Sequence, residues 1–155
     1  MLNNQYTKIL LLSLGLLVVS NAQADRDALH IAVFKQEVDK IESMLVEGAD
    51  INELGSLQYD HGAPIHVAVR AGNPEIVALL LARGAKVDVR DSLDHTPLHN
   101  AAWNGNIEMI KLLLDAGADI NATTYSGSTP LSCARSGRKI DAIQFIEGKL
   151  QIESN

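Results

Sequence analysis

Five histidines offer the most visible chemistry in this 155-residue chain. Three of them, His30, His66 and His99, fall at the same phase of a repeating pattern, which first suggests a ladder of metal ligands. The spacing argues against it. Zinc draws its ligands to about 2.0–2.3 Å from one ion, whereas stacked helical units stand about 10 Å apart. One imidazole per unit does not converge on a shared ion, so the expectation is no metal and no other cofactor. His61 and His95 fall near the tips of adjacent turns, where an imidazole can meet an acidic partner or respond to pH. The plainer expectation for both is an exposed polar turn residue. Asp91 and Asp94 have the types of a general acid–base pair, but they lie in a turn, where Asp supports local backbone hydrogen bonds. Ser126-Gly127-Ser128-Thr129 has the Gly and hydroxyls of a phosphate loop without the Lys-Ser/Thr ending such loops need. Cys133 has no second cysteine to pair with, and reads as a small buried hydrophobe rather than a reactive thiol. No nucleophile stands in a readable pairing with a base, and the residues give no reason to expect an enzyme.

The elements that carry these residues are set by a repeat. Thr96-Pro97-Leu98-His99 has a counterpart 33 residues earlier, Ala63-Pro64-Ile65-His66, and another 33 later, Thr129-Pro130-Leu131-Ser132. Gly84-Ala85-Lys86-Val87-Asp88 and Gly117-Ala118-Asp119-Ile120-Asn121 are also 33 apart. A period of this length marks stacked helical units, not one globular core. In the most regular unit, Thr96 is placed to N-cap a short helix, with Pro97 at its first position. Small residues follow where neighbours must approach closely, and Gly105 ends it. Asn106 caps a second helix with Ile107, Ile110, Leu113 and Leu114 at helical spacing, and Gly117 suits its C-cap. The preceding unit repeats this with Gly72, Asn73-Pro74, a core of Ile76, Val77, Leu80 and Leu81, and Gly84. The end units depart from the pattern. Gln36 stands where Gly72 and Gly105 stand, three extra residues fall within residues 52–59, Ser132 replaces the histidine, and Gly137 comes one position early. Four units result, at about 25–57, 58–90, 91–123 and 124–155. Each has an apolar face that only stacking can bury.

With the TPLH phrase and the Gly-Ala-Asp ending together, the chain resembles the ankyrin repeat family over nearly everything after residue 25. The resemblance implies an all-α solenoid of about four helix-turn-helix repeats with extended turns. It implies that the repeated histidine ties neighbouring turns together by hydrogen bonds. It also implies a protein that binds another protein, without naming it.

Residues 1–24 stand outside the repeats. Lys8 gives a basic start, residues 9–19 are apolar apart from Ser13 and Gly15, and Ala22-Gln23-Ala24 has the small-x-small form of a cleavage site. This is the plan of a secretory signal peptide. Its apolar run is shorter than the roughly 20 residues a membrane span needs, and a retained anchor is the alternative. An exported protein follows from this reading, periplasmic or secreted, acting as a monomer with no membrane span after cleavage. Removing the leader takes away Lys8 and no acid, so 12 bases against 19 acids leave a net charge of −7. An acidic surface without a basic cluster argues against nucleic acid and anionic membranes as partners.

In the ankyrin family the variable positions are the turn tips and two positions ending the first helix, which line one concave face. The register carries these onto Phe34, Arg70, Trp103 and Asn104 at helix ends, and onto Tyr59, Leu93, His95 and Tyr125 at tips. Beyond the leader there are only five aromatics, Phe34, Tyr59, Trp103, Tyr125 and Phe145. Four fall on this face, and Phe145 reads as core. Trp and Tyr are enriched in binding hot spots, which makes this face the expected partner site, with Trp103 as its anchor. The leading function is a binding or scaffold module outside the cytoplasm. An inhibitor or immunity protein blocking a toxin or envelope enzyme, and an exported effector acting on host proteins, are the alternatives.

Overall fold

The computed structural model describes residues 27–56, 58 and 61–153. The expected leader and Tyr59 lie outside them. The described residues form eight α-helices and no strand, arranged as four helix pairs: α1 (Ala28–Phe34) with α2 (Val38–Val46), α3 (Pro64–Ala71) with α4 (Pro74–Ala82), α5 (Pro97–Asn104) with α6 (Ile107–Asp115), and α7 (Pro130–Ser136) with α8 (Ile140–Glu153). The first helices α1, α3, α5 and α7 pack in series as one layer. The second helices α4, α6 and α8 pack in series as the other.

Local chemistry explains where each helix starts. Ala63, Thr96 and Thr129 are extended, and a proline follows each at the first helical position. Asn73 and Asn106 cap α4 and α6, their side chains accepting from the backbone N–H of Ile76 and Met109 at 3.0 Å each. Such caps are worth about 1 kcal/mol each.

The first helices end in a left-handed residue at one repeat position. Gly72 (φ 71°) and Gly105 (φ 74°) fill it in the central units, but Gln36 (φ 59°) and Arg138 (φ 56°) fill it at the two ends. Gly137, the C-cap of α7, is therefore not the left-handed residue moved one position early: its φ is −75°. It is glycine because a Cβ there would lie 2.6 Å from the Trp103 carbonyl oxygen of the neighbouring helix.

Packing in the first-helix layer turns on one small residue per unit. Ala32, Ala68, Ala101 and Ala134 share a repeat position and all are fully buried. A methyl at this point lets the helices approach closely, and a larger group forces strain. Around them Ile41, Ile65, Ile76, Leu80, Leu98, Met109, Ile110, Leu113 and Ile146 form the core. Met109 takes a buried place not expected from the spacing, while Ile107, Leu114 and Leu81 are only half-buried. Phe145 is half-buried too and packs at the margin of this core, with the ammonium groups of Lys111 and Lys149 at 5.4 and 5.7 Å from its ring.

The closing bonds of the turns narrow the place of the inserted residues, which the sequence set within residues 52–59. In the third unit the turn closes with the Asp91 N–H donating to the His95 carbonyl at 3.0 Å. In the second, the Gly55 N–H donates to the Gly62 carbonyl, also at 3.0 Å. The closing pair is three residues wider there, so the extra length lies between Gly55 and Gly62.

Candidate protein-binding face

The repeated histidines run through the first-helix layer as a chain of cross-unit hydrogen bonds. His99 Nδ1 accepts from the Thr96 N–H at 3.1 Å, which leaves the proton on Nε2, and Nε2–H donates to the Ser128 carbonyl at 3.0 Å. His66 does the same, accepting from the Ala63 N–H at 3.1 Å and donating to the His95 carbonyl at 3.1 Å. In the first unit His30 Nε2–H reaches the Gly62 carbonyl at 2.9 Å. All three side chains are buried. Burial pushes the His66 pKa down to about 4 from the ordinary 6.5, against the upward pull of the His95 carbonyl and Asp91. His99 is shifted in the same direction, again by burial. His66 and His99 each cap their own helix and hold the next turn, and His30 holds the turn at Gly62. The series ends at Ser132, whose hydroxyl donates to the Thr129 carbonyl of its own turn at 2.8 Å.

The tips are built by similar local bonds. Asp91 is an acceptor, not an acid–base partner: its buried Oδ1 takes the N–H groups of Leu93 and His95 at 2.9 Å each. Asp94 pairs with Arg90 at 2.9 Å, and Arg90 also donates to the Thr123 carbonyl of the next unit. Thr124 and Ser128 repeat the Asp91–His95 closure at 3.0 Å. The tip histidines are more engaged than exposed turn residues would be. His61 is half-buried with φ 49°, and its Nδ1–H donates to the Gly55 carbonyl at 3.0 Å. His95 places its ring edge-on to His99, with 5.6 Å between centroids, and its Nδ1 is 3.7 Å from Asp91 Oδ1. Its ring therefore supports the tip while remaining partly exposed.

The helix ends carry the exposed aromatics. Trp103 is 53% exposed and Phe34 64%, at the same repeat position of α5 and α1. Asn104 beside Trp103 is exposed. On the tips Leu93 is 60% and Tyr125 86% exposed. Arg70, at the matching place on α3, is half-buried. Series packing of the first helices sets these positions in one row, while Leu93, His95 and Tyr125 belong to the tips above it.

Phe34 and Arg70 are drawn together in a groove of about 320 Å³ whose other lining residues are Gln58, Val67 and Ala71. Val67 lies one turn before Arg70 on α3, a spacing the sequence shows. Gln58 belongs to the inserted tip, whose fold the 33-residue register does not specify. Cys133 is buried, which pushes its thiol pKa up and keeps it protonated.

A family model described as Ankyrin repeats (3 copies) matches residues 3–91, 29–124 and 65–153. The chain belongs to the ankyrin repeat family. Ankyrin repeats are generally protein–protein interaction modules, typically without enzymatic activity. No curated protein matches the chain. No helix among the described residues is long and apolar enough to cross a membrane.

Proposed function

We propose that this chain is an exported ankyrin module that binds one protein partner outside the cytoplasm, as a non-enzymatic scaffold, through the row of first-helix ends and the tips above it. The observation that carries the reading is that Trp103, Phe34 and Tyr125, the exposed aromatics among the described residues, fall on that one side. Large aromatics left in water on a soluble repeat protein mark a surface that is covered in use. Trp103 is the anchor, flanked by Asn104, Arg70, Leu93 and Tyr125, with Phe34, Tyr59 and the edge of His95 extending the contact. Residues 1–24 act as the export signal, which makes the periplasm the first compartment to examine.

Two measurements test the two halves of this reading. Mass spectrometry of the protein recovered from its own cells should find the amino terminus at Asp25 in the extracytoplasmic fraction; an intact Met1 chain in the cytoplasm contradicts export. Trp103→Ala should weaken partner binding by about 2 kcal/mol or more while leaving the melting temperature nearly unchanged. A large drop in melting with unchanged affinity removes Trp103 from the site.

A further inference from the structure

Asn121-Ala122-Thr123 is the one Asn-x-Ser/Thr triplet in the chain, and it takes no part in the face described above. We propose that Asn121 carries an N-linked glycan, transferred during export from a lipid-pyrophosphate-linked oligosaccharide. This rests on the export half of the reading above and not on the partner face.

Position in the stack comes first. Asn52, Asp88 and Asn121 occupy one repeat position, and in the first two units it has a fixed task. Asn52 Oδ1 accepts the Lys86 N–H of the next unit at 2.8 Å. Asp88 accepts the Asp119 N–H of the next unit at 3.3 Å through Oδ1 and 3.2 Å through Oδ2. Lys86 and Asp119 lie in the turn that follows a second helix. The corresponding residue of the last unit, Ile152, is still inside α8, which runs to Glu153. The series of bonds therefore stops at Asn121, whose carboxamide makes no hydrogen bond among the described residues. The Asn121 N–H donates to Asp119 Oδ1 at 2.8 Å, so the backbone is held while the side chain is left to solvent. Asn52 differs twice over: its carboxamide is engaged, and Leu54 stands where Thr123 does.

Burial along the segment fits the same chemistry. Ile120 and Ala122 are buried, while Asn121 and Thr123 are exposed. The carboxamide and the hydroxyl two residues later, which together mark a glycosylation acceptor, both face water. Asp119 supplies the acid two residues before the asparagine that bacterial oligosaccharyltransferases also require. In the transfer, Asn121 Nδ2 forms a bond to the anomeric carbon of the first sugar. The bond from that carbon to the pyrophosphate oxygen breaks, the lipid pyrophosphate leaves with the electron pair, and one carboxamide proton passes to a base of the transferring enzyme. Transfer takes place as the chain emerges, before Ile120 and Ala122 are packed. The folded stack then has only to tolerate a bulky, solubilising group, and an exposed carboxamide that bonds to no neighbouring unit meets that condition.

Peptide mass spectrometry of the full-length gene product, recovered from the extracytoplasmic fraction of its own cells, tests this. The peptide spanning Asn121 should be heavier than its sequence by a string of sugar residues, with the attachment at Asn121. Asn121→Gln and Thr123→Ala should each return the bare mass, and Thr123→Ser should keep the glycan, with thermal melts confirming that each variant is folded. A bare Asn121 on a chain that begins at Asp25 would overturn the glycan and leave export standing. A bare Asn121 on an intact Met1 chain in the cytoplasm would overturn both. Sugar that persists in Asn121→Gln, or at Asn121 in Thr123→Ala, would overturn the assignment to this triplet.

Discussion

His99 and Ser128 are joined by a hydrogen bond of 3.0 Å from an imidazole Nε2–H to a backbone carbonyl in the next unit. The same imidazole accepts the Thr96 N–H through Nδ1 and a second donation from the Thr96 hydroxyl at 2.9 Å. One side chain thus starts a helix and fixes the height of the following tip. The tip it fixes carries Tyr125, so the stacking bond and the proposed binding surface are mechanically connected.

His99→Ala leaves the Thr96 N–H and the Ser128 carbonyl without this partner in a buried setting. Each orphaned group costs about 1–3 kcal/mol, so urea denaturation should show a loss of about 2–6 kcal/mol. A loss below about 0.5 kcal/mol would mean water replaces the imidazole freely and the bond does not hold the stack.

Acid should loosen the same seams. The folded pKa of His66 lies below its unfolded value, so under about pH 6.5 the unfolded chain takes a proton that the folded chain refuses. The stability this histidine contributes is complete above that pH, falls as pH drops toward about 4, and then levels off. The span corresponds to roughly 3 kcal/mol, and His99 adds in the same direction. Melts across this range should show the fall, and His66→Asn should flatten it. An unchanged slope in His66→Asn contradicts the assignment.

Backbone geometry at the two ends gives a prediction of opposite sign. Gln36 and Arg138 occupy left-handed conformations that cost an ordinary residue about 1–2 kcal/mol. Glycine relieves that strain and adds unfolded-state entropy, so Arg138→Gly should stabilise by up to about 1 kcal/mol. Gln36→Gly should gain less, because it also loses the bond from Asn73 Nδ2 to Gln36 Oε1 at 3.1 Å. Gly137→Ala should destabilise instead, since the Trp103 carbonyl it would strike is backbone. Thermal denaturation of the three variants checks all three signs.

Leu113 is fully buried in α6. Leu113→Ala should cost about 2–5 kcal/mol through lost contact and the cavity left behind, read from urea midpoints. A cost under about 1 kcal/mol would mean the second-helix layer collapses to fill the space.

Much of this was legible because capping chemistry is local. Pro97 after Thr96, Asn106 before Ile107, and the 33-residue recurrence of both fix helix starts whatever surrounds them. The arrest of the histidine series at Ser132 was visible for the same reason. What escaped the sequence depends on neighbours distant in the chain. Gly137 reads as a shifted cap until the Trp103 carbonyl is seen against it. His61 reads as an exposed polar residue until the longer tip brings Gly55 to its ring. Phe145 reads as core because its spacing is helical, but it sits at the margin of that core, half-buried, with the ammonium groups of Lys111 and Lys149 near its ring. The groove joining Phe34, Arg70 and Gln58 was hidden because Gln58 comes from an insertion that the repeat register does not place.

The most direct test of the central claim is capture from the native extracytoplasmic fraction, with the chain and its Trp103→Ala, Tyr125→Ala double variant as paired baits of equal thermal stability. The account predicts one protein retained by the unaltered chain and lost with the variant. The same protein retained equally by both would contradict it, and would move the interaction off the face that the exposed aromatics mark.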